Sequence, residues 1–176
     1  MIKIFLTVIL TIVVLILSFY IYISSGLYDI SQLSPHNSLT KSVISITTRN
    51  SIKKRVKDIT EPNNLKDTAI INSGFKSYME MCSGCHGAPG EPNDMIKGWY
   101  PRPPELYKFS KETDAKEYFW ITKNGIKMTA MPALKPMLSD EQIWAITAFV
   151  TQRLPKMTAD EYKNWKAKYA NNLNTH

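Results

Sequence analysis

The chain has two cysteines among its 176 residues, and they stand together in Cys82-Ser83-Gly84-Cys85, followed at once by His86. With no other thiol to pair with, a long-range structural disulfide is excluded by count, and the whole thiol content belongs to one local motif. The pattern C-x-x-C-H is the attachment signature of covalently bound haem. Two thiols about one helical turn apart reach the two vinyl groups along one porphyrin edge, and the adjacent imidazole swings under the ring to bind the iron. Two other chemistries use C-x-x-C. A structural zinc site needs four ligands, usually including a second Cys or His pair, and this chain has only His36 and His176 left. A dithiol redox pair expects a βαβ setting and has no use for the histidine that follows. Haem attachment is the reading that employs all three residues.

The elements around the motif are helical by pattern. Residues 67–81 read as an amphipathic helix entering the motif, with Ala69, Ile70, Phe75, Tyr78 and Met79 apolar and Gly74 leaving a flat spot. Ser139-Asp140-Glu141-Gln142 is a capping box that opens a second helix through Ile143, Trp144, Ile146, Phe149 and Val150, closed at Leu154–Pro155. The two are expected to cross at Gly74, with Trp144 or Ala148 pressed into the gap. Residues 117–122 predict a third short helix. Thr158-Ala159-Asp160-Glu161 opens a last, polar one to about Asn171, with Tyr162, Trp165 and Tyr169 on one side. Pro-rich loops lie between, and no stretch reads as sheet.

Residues 67–155 resemble a class I monohaem cytochrome c domain of the bacterial periplasmic kind. The matching pieces are the helix into Cys82-Ser83-Gly84-Cys85-His86-Gly87, then Tyr100-Pro101-Arg102-Pro103-Pro104-Glu105-Leu106, then Lys123-Asn124-Gly125-Ile126-Lys127-Met128-Thr129-Ala130-Met131-Pro132-Ala133, and the Trp144 helix. The resemblance covers about half the chain. It implies an all-α class I cytochrome c fold, three to four short helices around one covalent haem c. Cys82 and Cys85 would form the thioethers and His86 would be the first axial ligand. By position, Met128 and Met131 could each be the second. The family pattern puts the ligand in the Met-Pro-Ala step, hence Met131, and makes Met128 a packing residue. Ala130 stands where the family often has glycine. The resemblance also makes the Pro104 carbonyl the acceptor for the proximal imidazole, Arg102 a propionate partner, and Trp99, Tyr100, Leu106, Trp120 and Ile126 haem-pocket residues.

His/Met ligation saturates the iron, raises its potential relative to bis-nitrogen ligation and suits outer-sphere electron transfer. The expected function is electron transfer, not catalysis: single electrons pass between a quinol-oxidising complex and a terminal oxidase or reductase. The alternative within the class is a fixed haem c subunit of a membrane oxidase, reductase or dehydrogenase. A haem peroxidase would need an open iron with distal acid–base residues, for which no distal His or Arg motif is visible, and a haem sensor would need a signalling module.

The rest of the chain places this domain. Ile4–Ile23 is twenty residues without a charge, about 30 Å as a helix, which matches a bilayer core. A signal peptide would have a shorter apolar region, so residues 1–23 are expected to stay as a single-pass anchor. Lys3 precedes the segment and Asp29 is the first charge after it, which keeps the N-terminus in the cytoplasm and puts the haem domain on the periplasmic face of the inner membrane. Residues 24–66 are polar, carry Pro35 and Pro62, and read as a mostly irregular linker, in which Asn37–Lys57 could hold a short helix or strand on the weak apolar signals of Val43, Ile44 and Ile46. A flexible chain of about 40 residues would reach ~35 Å. Residues 156–176 read as a polar helix and tail. The net charge of +7 divides unevenly: residues 1–66 carry eight Lys/Arg against three Asp/Glu, and residues 67–176 carry fourteen against twelve. The basic excess therefore belongs to the leading segment, and nucleic acid is not an expected partner.

Overall fold

The computed structural model describes residues 1–93, 96–108 and 114–173. His176, weighed above as a zinc ligand, lies outside them. The chain forms two compact units, Met1–Pro35 and His36–His176. Among the described residues there is no strand, only an isolated bridge pairing Ala88 with Glu91. The all-α expectation holds.

The first unit is built on helix α1 (Ile2–Ser24), none of whose residues is buried. It is long and apolar enough to cross a membrane. Its two threonines return their hydroxyls to the backbone, Thr7 to the Lys3 carbonyl and Thr11 to the Thr7 carbonyl, both at 2.9 Å. The helix thereby leaves neither hydroxyl without a hydrogen-bond partner for hydrocarbon to surround.

The second unit begins with a helix where the linker could hold a short helix or strand. Residues 38–55 form an 18-residue helix, α2 (Ser38–Arg55), capped by Asn37, whose side-chain oxygen accepts from the Thr40 N–H at 2.8 Å. Its inner face is narrow. Ile52, and Val56 just past its end, are buried, and the Arg55 guanidinium lies 6.0 Å from the Trp120 ring centre. So few inward apolar residues give almost no helical period in sequence, which is why the segment reads as irregular. Lys53, Lys54 and Arg55 occupy the last turn, where cations complement the helix dipole.

Helix α3 (Thr68–Met81) starts at Asp67, which accepts from the Ala69 N–H at 2.8 Å. It runs into the one-turn α4 (Ser83–His86). Helix α5 (Ala115–Asn124) follows, longer at both ends than its apolar residues suggested, because Asp114 caps it and Gly125 ends it. Helix α6 (Asp140–Ala148) carries the expected reciprocal Ser139–Gln142 box. The chain then continues helically through a wider π turn (Phe149–Arg153) and a 3-10 turn (Leu154–Lys156). Pro155, which lacks an N–H, sits inside that last turn rather than before it.

The crossing of α3 and α6 is at Gly74, as expected, but the residue against it is neither Trp144 nor Ala148. A Cβ at Gly74 would collide with the Ala145 carbonyl oxygen and stand 3.0 Å from the Phe149 Cβ. The gap is closed by backbone, so no larger side chain was needed. Trp144 instead stacks on Phe119, with centroids 4.1 Å apart and planes 12° from parallel.

Helix α7 (Ala159–Leu173) is not a polar appendage. The Thr158–Glu161 box starts it, and Tyr162, 1% exposed, enters the main core with Phe75, Tyr78, Phe149 and Leu154. Phe75 is surrounded by the rings of Phe149, Tyr162, Trp165 and Tyr169 at centroid distances of 5.3, 5.5, 5.2 and 5.3 Å. Only one side of α7 is apolar, and its three aromatics carry the burial that a composition average hides.

Candidate haem-binding site

The attachment motif sits where α3 hands over to α4. The Cys85 and His86 N–H groups both donate to the Cys82 carbonyl, at 3.0 and 2.9 Å, so the two thiols and the imidazole leave successive points of one tight turn. Three contacts hold that turn. The Tyr78 hydroxyl donates to the Gly87 carbonyl at 2.7 Å, Ser83 donates to the Met79 carbonyl at 2.8 Å, and the Asn93 amide donates to the Gly84 carbonyl. Asn93 was not named from sequence, and Tyr78 was named only as an apolar residue of the helix. Tyr78 counts as an apolar residue in a helical pattern, and its polar tip shows only once the fold brings Gly87 to it.

His86 Nδ1 lies 2.8 Å from the Pro104 carbonyl oxygen. A carbonyl can only accept, so the proton resides on Nδ1 and the Nε2 lone pair is left for a metal. Burial holds the imidazole below its usual pKa, against the opposing pull of Pro104, which also favours the neutral, ligating form. Cys82 is half-buried as a residue, and desolvation, with Cys85 beside it, pushes its thiol up to about 12. A dithiol redox centre depends on a lowered thiol pKa, and this one is raised. Among the described residues no three His, Cys, Asp or Glu side chains gather to hold a metal ion.

A second segment, residues 126–135, is laced to the end of α5. The Ile126 N–H donates to the Met131 carbonyl at 3.2 Å, Leu134 donates to the Thr122 carbonyl at 3.2 Å and Lys135 to the Lys123 carbonyl at 3.1 Å. Thr129 donates to the Ile126 carbonyl and accepts from the Met131 N–H, at 2.8 and 3.1 Å. Gly125 is the hinge of this strap. Its φ is +67°, and a Cβ there would stand 2.7 Å from the Ala133 nitrogen, the Met131 oxygen and the Pro132 carbonyl carbon alike. Met131 is half-buried on the strap. Met128 is 89% exposed, with φ +60°, so it does not pack as expected.

The remaining expected residues differ in their surroundings. Pro104 is at the imidazole. Leu106 is partly buried beside the main core. Ile126 is half-buried at the start of the strap, and Arg102 is exposed. Trp120 is half-buried under Arg55 of α2, and Tyr100 meets His36 edge-on at 5.3 Å. Trp99 is exposed.

Two thiols on one turn and an imidazole with its Nε2 lone pair available suit iron porphyrin, and Met131 on the strap is the sulfur expected as the second ligand. Residues 69–150, just under half of the chain, match the family model described as cytochrome c oxidase, cbb3-type, subunit III. This segment is a monohaem c-type cytochrome domain. No curated protein and no solved structure matches the chain. The cytochrome domain takes covalent haem c, with Cys82 and Cys85 as the candidate attachment residues, and its chemistry is electron transfer. When bound, the haem supplies an iron that changes charge by one electron. The chain's own part is to keep the His86 proton on Nδ1, fix the imidazole against Pro104 and hold the strap.

Proposed function

We propose that this protein is a membrane-anchored haem c subunit that relays single electrons within an oxidase-type complex. Cys82 and Cys85 carry the thioethers, and His86 and Met131 bind the iron from its two sides. Pro104, Leu106 and Ile126 line the haem, Arg102 pairs with a propionate, and Trp120 borders the site from the α2 side. Helix α1 crosses the cytoplasmic membrane once, with Lys3 inside and residues 24–176 on the periplasmic face. The electron donor is a quinol-oxidising complex or its carrier, and the acceptor is a terminal oxidase or reductase. The chain itself transforms no substrate.

The observation that carries the choice of a fixed subunit is the shortened tether. With α2 folded against α5, thirteen residues, 25–37, separate the end of α1 from the start of α2. A flexible segment of that length spans roughly 20 Å root-mean-square, against the ~35 Å of a forty-residue linker. A short tether favours a domain that stays with one complex. The family model points the same way, since its description names an oxidase subunit. The second reading, a tethered carrier moving between separate complexes, is favoured by the small size of the domain.

Extraction of the full chain in mild detergent, followed by native electrophoresis and haem staining, tests the choice. The covalent haem should migrate with an oxidase in fixed ratio. Recovery of the chain alone, at every detergent strength that leaves other complexes whole, would turn the reading to the free carrier.

A further inference from the structure

We infer that the outward face of α2 is an anionic-lipid docking surface. The helix touches its own domain through one side only. Ile52 and Val56 are buried, and Arg55 lies over Trp120. With about 100° of turn per residue, Leu39, Val43, Ile46, Lys53 and Lys54 fall within an arc of roughly 100° on the side away from Ile52. Leu39 is 76% exposed, Val43 56% and Ile46 59%. Lys53 and Lys54 are exposed, and Lys57, also exposed, follows in the next turn. The face therefore has two ends. The one nearer α1 in sequence offers three branched apolar side chains, and the other offers three ammonium groups.

Residues 38–55 contain Lys41, Arg49, Lys53, Lys54 and Arg55 and no Asp or Glu. Lipid binding by a helix on a membrane surface grows with the apolar area it buries and with the attraction of its cations to anionic headgroups, and this arc offers three apolar side chains beside Lys53 and Lys54. The apolar side chains enter the headgroup–acyl boundary, and the lysines meet lipid phosphates. The occupant is thus lipid rather than protein on three grounds. The charge is of one sign. The apolar and basic groups share one face. And thirteen residues separate this helix from one long and apolar enough to span a bilayer, which at full extension is about 45 Å of chain.

The test uses the full-length holoprotein in nanodiscs of phosphatidylcholine alone and of equal parts phosphatidylglycerol and phosphatidylcholine. Amide hydrogen exchange is followed over residues 38–57, with peptides of α7 as the internal reference. Exchange over 38–57 should slow in the phosphatidylglycerol discs, and the combined variant Lys53→Glu, Lys54→Glu, Lys57→Glu should lose that slowing. The pair Val43→Ser, Ile46→Ser should lose it as well. These five side chains are exposed, so the haem absorbance stays as in the parent, and because glutamates at 53 and 54 oppose the α2 dipole, each variant's slowing is read against its own exchange in phosphatidylcholine discs. No slowing in phosphatidylglycerol discs overturns the inference, as does slowing that survives the glutamate variant. Protection seen only in native membranes, with oxidase subunits present, assigns the face to a protein partner and overturns it equally.

Discussion

At the scale of single residues, the site divides into groups that attach and groups that aim. Cys82 and Cys85 are the only thiols, so replacing both with alanine should leave haem that acidified organic solvent extracts. Haem that stays with the polypeptide after that treatment would contradict thioether attachment. Met131 and Met128 separate by environment. The first is half-buried on a laced strap, the second almost wholly in solvent. Met131→Ala should lower the reduction potential, abolish the far-red band of sulfur-bonded ferric iron and let cyanide bind. Met128→Ala should change none of these. A redox titration with parallel spectra checks both, and the opposite outcome would move the ligand to Met128. Gly125 is constrained twice, by a left-handed φ and by three backbone atoms at 2.7 Å. Gly125→Ala should cost on the order of 2–3 kcal/mol, read as a lowered melting temperature together with partial loss of the Met131 band. The Cys-x-x-Cys-His motif, the Pro104 segment and the strap were visible in sequence because each is a short local pattern. The hydrogen bonds of Tyr78 and Asn93 and the Arg55–Trp120 contact were not. Their partners lie 9, 9 and 65 residues away, and only the fold joins them.

At the scale of elements, what could be read was set by how much of each helix is buried. Helices α3 and α6 bury a broad side, so their caps, their course and the Gly74 crossing were legible. The identity of the residue at the crossing was not, because pattern gives positions of side chains and the contact is made by the Ala145 carbonyl. Helix α2 buries one apolar residue of its own, Ile52, with Val56 just past its end, and it lies in a Ser-, Thr- and Asn-rich segment. Helix α7 buries a few aromatics in a chain otherwise polar. These two differ in what their loss should do. Tyr162→Ala removes a ring from the centre of the core and should destabilise the holo-domain by about 3 kcal/mol, measured by thermal melting followed by circular dichroism. A melt unchanged within error would return α7 to the status of a tail. Ile52→Ala should instead loosen α2 alone. Amides of residues 38–55 would exchange faster while those of α3 and α6 keep their protection.

At the scale of the whole molecule, the division of labour follows the division of charge and polarity. The first unit is an apolar helix with a short polar exit. The second holds residues 69–150 of the cytochrome match, and its buried side chains among the described residues lie between 52 and 162. Its core, Phe75, Tyr78, Phe149, Leu154 and Tyr162, draws nothing from α1. A chain lacking residues 1–35, exported behind a cleavable signal, should therefore fold, take up haem and lose the anchor. Two attachments with different physical origins can be separated in that product. An apolar span resists both salt and carbonate washing, whereas lysines on a lipid surface are screened as ionic strength rises. The truncated holo-domain should be released from membranes by high salt, and at low salt its residual binding should depend on Lys53, Lys54 and Lys57. Retention through a carbonate wash would reveal a second anchor that α1 does not account for. Complete solubility at low salt would leave α1 as the whole of the attachment and remove the lipid role from α2.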